Sequence, residues 1–200
     1  MAGMNPALNQ ASFARDARKV ARDLLGCVLI YTSSEGQAGG IIVETEAYLG
    51  AKDPASHGFR GPTKRNAVMF GPAAHAYIYF TYGLHYCFNV VTGANGVGEA
   101  VLIRALEPTI GLELMQARRG HVDERQLANG PAKLVQALGI TKADYGRSVL
   151  APPLMVASGS KPHHITSSPR IGISQAQTKP WRYYITDNPY VSRTRSRTSR

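Results

Sequence analysis

Apolar residues recur at helical spacing in only a few stretches of this chain, and at strand-like spacing in most of the others. In FARDARKVARDLLG (13–26), Phe13, Ala17, Val20, Ala21 and Leu24 fall on one helix face and Gly26 stands at a natural C-terminal cap, which predicts an amphipathic helix. TIGLELMQARRG (109–120) and PAKLVQALG (131–139) read as two more, the second with Pro131 in its first turn and Gly139 closing it. CVLIYTS (27–33) and GGIIVETEAYLG (39–50) are strand-like and separated by the turn signal SSEGQAGG. AYIYFT (76–81) and HYCFNVV (85–91) flank Tyr82-Gly83-Leu84 as a hairpin, and VLIRAL (101–106), PRIGIS (169–174) and WRYYIT (181–186) are further strand candidates. The polar segment Ala51 to Arg65 reads as a loop, as does GANGVGEA (93–100), whose G-x-x-G-x-G lacks the strand-loop-helix setting of a nucleotide fold.

Strand alternation over residues 41–48 puts Ile41, Val43, Thr45 and Ala47 on one face and Ile42, Glu44, Glu46 and Tyr48 on the other. Taken alone, a Glu-x-Glu face is more often solvated than functional. The run VLIRALEP changes that reading. Arg104 sits there between Ile103 and Ala105, so it either snorkels to the surface or meets a buried carboxylate, for which Glu44 and Glu46 are the candidates. Along the hairpin Tyr77, Tyr79 and Thr81 share one face, while Tyr82 occupies the turn. A turn tyrosine either folds back on its own sheet or projects as a side chain able to stack on, or wedge between, bases.

Two hundred residues at 44% apolar content suffice for one core, so a single domain over residues 1–192 is expected, followed by a basic, disordered tail at 193–200. The net charge of +10 favours an acidic partner, a nucleic acid backbone first and an anionic membrane surface second. No segment reaches eighteen uninterrupted apolar residues, and the first nineteen residues lack the pattern of a signal peptide, so a membrane role is not expected and the cytoplasm is. Cys27 and Cys87 form no CxxC spacing and read as reduced, buried thiols. His163-His164 lacks the carboxylate or cysteine spacing of a metal site, and neither a metal nor another cofactor is expected.

Six ordered motifs carry a resemblance: V-E-T-E-A-Y-L-G followed by D-x-A-x-H, T-x-R-N-x-x-M-F, Y-x-Y-x-x-Y-G-x-x-x-C-x-N, V-L-x-R-A-L-E-P, G-P-x-K-L-x-Q-A-L and R-x-G-I. Together they resemble the alkyladenine (3-methyladenine) DNA glycosylase family, from about the first helix to Pro189-Tyr190-Val191-Ser192. The resemblance implies an α+β domain with a curved antiparallel sheet, a protruding hairpin and surrounding helices, unlike the helix-hairpin-helix glycosylases. It implies Glu46 as general base, with Arg104 and the carbonyl of Ile171 helping to hold the attacking water. Tyr48 would stack on one side of an extruded base, His57 and Tyr79 on the other, and Asn89 would obstruct the amino group of normal guanine. Tyr82 would enter the gap left in the duplex, and Thr63, Arg65 and Lys133 would contact phosphate.

The chemistry implied is repair. A monomeric, monofunctional hydrolase would flip alkylated or deaminated purines (3-methyladenine, 7-methylguanine, ethenoadenine, hypoxanthine) out of double-stranded DNA and cut the glycosidic bond, in the nucleoid of a bacterium or the nucleus of a eukaryote. Glu44 shares the face of Glu46 and is expected to be a structural acceptor. The alternative is a non-catalytic nucleic-acid-binding module using the same basic surface and aromatic hairpin; such a binder has no need of Glu46 beside Arg104.

Overall fold

The structure, a computed structural model, describes residues 8–81 and 85–192. Tyr82 and the 193–200 tail therefore lie outside the described residues. Two short helices, α1 (Gln10–Phe13) and α2 (Ala17–Asp23), precede strands β1 (Val28–Ser33), β2 (Gly36–Leu49), β3 (Ala76–Thr81), β4 (His85–Thr92) and β5 (Glu99–Ile110). Helices α3 (Leu112–Arg119) and α4 (Pro131–Leu138) follow, then β6 (Leu150–Ala151), β7 (Leu154–Ala157), β8 (Ile165–Ser168) and β9 (Arg182–Ile185). The strands form one curled antiparallel sheet in the order β3-β4-β5-β2-β1-β7-β6, with β9 added to β2 and β8 to β9. This is the α+β architecture expected.

The predicted first helix is two helices. The Asp16 side chain accepts the Arg18 N–H and so starts α2 afresh, while α1 is closed at its own N-terminus by the reciprocal Asn9–Ser12 pair. The apolar face is nevertheless the expected one: Ala17, Val20, Ala21 and Leu24 are buried in the core with Phe13. Thr45 fixes α2 onto the sheet by donating its hydroxyl to the Ala21 carbonyl at 2.8 Å.

Strand β2 organises the rest. Its 14 residues pair with β5 along one edge, and along the other with β1 up to Ile41 and with β9 from Glu44. At that change of partner the register against β5 slips twice, so that Val43 and then Arg104 are each left without an opposite residue. Such bulges re-aim side chains. Ile42 consequently joins the apolar core rather than sharing a face with Glu44 and Glu46, which corrects the simple alternation.

Other bounds moved as well. Thr109 and Ile110 extend β5, and α3 begins only at Leu112. PRIGIS is not a strand: β8 ends at Ser168, because Pro169 has no N–H for a ladder and the Ile171 N–H is spent on the Glu46 side chain. The small β6–β7 hairpin, which extends the sheet beyond β1, was not expected from the sequence. GANGVGEA contributes the β4–β5 turn, with Gly93, Gly96 and Gly98 all at positive φ. Cys27 and Cys87 are free and buried, and His163 and His164 are exposed.

Candidate active site

Four adjacent strands supply the floor of a cleft of about 450 Å³. Cross-strand pairing explains why these residues meet: Tyr77 lies opposite Asn89, Tyr79 opposite Cys87, Asn89 opposite Leu102, and Leu102 opposite Glu46. Tyr48, His57, Tyr79, Asn89, Arg104 and Ile171 all line the cleft. Glu46 has no exposed surface and sits behind three of them, bonded to each.

Glu46 is held from both oxygens. The Ile171 N–H donates to Oε1 at 2.7 Å, Arg104 Nη1 lies 3.2 Å from the same atom, and the Tyr48 hydroxyl donates to Oε2 at 2.8 Å. A carboxylate offers about four acceptor positions, so these donors leave capacity for one more, such as a water. Ile171 thus reaches the carboxylate through its amide, a contact separate from the water contact expected of its carbonyl.

Arg104 does not choose between the two glutamates. Its Nε donates to Glu44 Oε1 at 2.9 Å while Nη1 faces Glu46. Burial works against the guanidinium charge, but Glu46 and then Glu44 more than offset it and raise its pKa above the ordinary arginine value. Glu44, fully buried, also accepts from Arg182 Nε at 2.6 Å and from the backbone N–H and hydroxyl of Ser192, each at 2.8 Å. That leaves it the structural acceptor expected, with no share of the cleft.

Aromatic rings form the walls. Tyr77 and Tyr79 stack with centroids 5.5 Å apart, and His57 meets Tyr79 edge-on at 4.5 Å. His57 Nδ1 is 2.8 Å from the Tyr77 hydroxyl. Desolvation, followed by the charge of Arg65, lowers the His57 pKa below its ordinary value, favouring a neutral imidazole. Burial and then the Glu46 charge push the Tyr48 phenol far up, keeping it a proton donor to that carboxylate. Asn89, buried, donates Nδ2 to the Tyr77 carbonyl at 3.1 Å and is thereby fixed in the floor.

The residues expected near phosphate are more scattered. Thr63 and Arg65 are exposed on the loop before β3, which buried Asn66 ties together by accepting from Thr63 and donating to the carbonyls of His57 and Gly61. Arg65 leans over the Tyr79 ring at 5.7 Å and donates to the Phe80 carbonyl. Lys133, on the first turns of α4, bonds Asn129 at 2.7 Å; of this helix it is Pro131 that lines the cleft. Asp53 and Arg170, which no sequence pattern marks for a role, form a buried ion pair that packs behind Tyr48. Both lie within the motifs quoted above, and that was their only signal.

The chain is also similar to known proteins. Residues 11–189 match the family model described as methylpurine-DNA glycosylase. A relative from Methanoculleus marisnigri is 54% identical over 191 residues, covering 93% of this chain and 98% of its own. Relatives from Rhodopseudomonas palustris and Carboxydothermus hydrogenoformans are 50% and 49% identical, covering 95% and 90% of this chain and 92% and 96% of their own. All three carry the provisional name 3-methyladenine DNA glycosylase.

Proposed function

The chain belongs to the methylpurine-DNA glycosylase family of DNA repair enzymes, and on that premise we propose that it takes alkylated or deaminated purines out of duplex DNA and releases them by hydrolysis at Glu46. The observation that carries this reading is one carboxylate, Glu46, gripped by Tyr48, Arg104 and Ile171 behind an aromatic slot. The substrate class is 3-methyladenine, 7-methylguanine, ethenoadenine and hypoxanthine in double-stranded DNA.

A base in a duplex hides its glycosidic bond, so the nucleotide must rotate out at a cost of a few kcal/mol. Tyr82 fills the space it leaves. Tyr48 on one side and His57 with Tyr79 on the other take the flat ring, and a cationic alkylpurine gains from electron-rich tyrosine faces. A neutral His57 adds no competing charge. Asn89 excludes the amino group of normal guanine. Thr63, Arg65 and Lys133 meet phosphate.

In the chemical step the C1′–N bond breaks with its electron pair leaving on the base. Water adds to the oxocarbenium-like C1′, and its proton passes to Glu46. Arg104 and the Ile171 amide hold the carboxylate for that transfer. A cationic base departs without an acid; a neutral one such as hypoxanthine takes its proton from another source. The product is an abasic site, and the enzyme works as a monofunctional monomer without cofactor. The test is incubation with duplexes bearing each of the four lesions, followed by alkali: strand breaks at the lesion are expected, and intact strands for all four would refute the reading.

A further inference from the structure

We infer that the Asp53–Arg170 ion pair is a positioning element for base release, setting the Tyr48 ring and the Ile171 amide that grips Glu46. The inference rests on the reading in which Glu46 activates water and Tyr48 walls the base slot.

Both side chains are fully buried. The guanidinium engages both Asp53 oxygens, Nη1 with Oδ2 and Nη2 with Oδ1, and Nη1 also donates to the Ala47 carbonyl at 2.9 Å. Ala47 stands between Glu46 and Tyr48, and its own N–H is taken by the Trp181 carbonyl at 2.8 Å. The strand segment bearing the carboxylate and the stacking ring is therefore clamped at its middle residue. Asp53 is fixed in turn by the N–H groups of Leu49 and Ala55.

Arg170 also fills the space behind the ring. Its guanidinium carbon lies 4.6 Å from the Tyr48 centroid and 5.0 Å from that of Trp181. Its Nε is buried without a hydrogen-bond partner among the described residues, a cost accepted in exchange for this stack. The next residue along the chain is Ile171, whose N–H donates to Glu46 Oε1. One side chain thus fixes the ring by stacking and Glu46 through the adjacent amide. Arginine is required, because only a planar fork binds a carboxylate bidentately and stacks on rings at once.

The test measures single-turnover excision of 7-methylguanine from duplex DNA at saturating enzyme. It compares the wild type with Arg170→Gln, Arg170→Lys, Asp53→Asn and Glu46→Gln, and scores amplitude, melting temperature and affinity for undamaged duplex alongside. Arg170→Gln is expected to slow the rate constant roughly 100-fold, as small misplacements of reacting groups do, and Arg170→Lys about tenfold, both with unchanged amplitude and duplex affinity. Asp53→Asn with Arg170→Gln should be no slower than Arg170→Gln alone, since the pair acts as a unit. A role confined to stability would reduce amplitude and melting temperature while the rate constant of the surviving enzyme stayed at wild type, and would overturn the inference. If Arg170→Gln fails to fold, Arg170→Lys decides in the same way. Glu46→Gln separates the two levels: an inert Glu46→Gln beside wild-type rates at Arg170 refutes the positioning role alone, whereas an active Glu46→Gln refutes the parent reading and this inference with it.

Discussion

Tyr48 donates its hydroxyl to Glu46 across 2.8 Å, so a wall of the cleft and the carboxylate behind it are joined by one hydrogen bond. Tyr48→Phe removes that bond and keeps the ring. Hydrogen bonds to charged groups contribute about 1.5–3 kcal/mol, so single-turnover excision should fall about 10- to 150-fold while affinity for lesion DNA stays near wild type. A matching loss of affinity would mean that the hydroxyl serves the binding of the base rather than the carboxylate.

Glu44 serves folding. Burial alone would raise its pKa, but Arg104, Arg182 and Ser192 overcome that and hold the carboxyl below the ordinary glutamate value of 4.5. Because the folded pKa is the lower one, this stabilisation is complete above the unfolded value and is lost as the pH falls through the folded value. Glu44→Gln leaves two buried arginines underpaired and should cost about 3–5 kcal/mol in urea unfolding at neutral pH. Its penalty should shrink in acid, below the ordinary glutamate range. A penalty independent of pH would remove the charge of Glu44 from the explanation.

His57 gives the cleft a pH response of its own. Its pKa is lowered by desolvation and then by Arg65, so the ring gains its charge at a lower pH than an ordinary histidine does. Binding of duplex carrying cationic 7-methylguanine should therefore weaken in acid with a midpoint below 6.5, the ordinary histidine value. His57→Gln should flatten that fall. Titrations in a Glu46→Gln background avoid turnover, and weakening centred at or above 6.5 would contradict the assignment.

Much of this site was legible because strand alternation is local. Glu44, Glu46 and Tyr48 fall two apart on β2, and Tyr77 with Tyr79 fall two apart on β3, so their shared faces could be read directly. Alternation failed at Ile42, because the slip that leaves Val43 unpaired depends on β5, more than fifty residues away in sequence. Arg104 could be read either as snorkelling or as meeting a buried carboxylate, and no local signal shows that its bulge lets it reach two. The Asp53–Arg170 pair joins residues 117 apart, and the apolar alternation of PRIGIS imitates a strand that Pro169 forbids. The β6–β7 hairpin is too short for any period to declare itself.

The most direct measurement is single-turnover base release by Glu46→Gln from a duplex carrying 3-methyladenine or 7-methylguanine, with lesion-DNA affinity determined in parallel. Glutamine keeps an oxygen for the Ile171 amide and for Arg104, and the Tyr48 hydroxyl can turn to accept from the new amide, so the fold and the slot should persist. What disappears is the group that takes the proton from water. Release should slow by about 100- to 10,000-fold, the range general-base catalysis supplies, with affinity retained. Release within about tenfold of the wild-type rate at unchanged affinity would show that Glu46 is not the base.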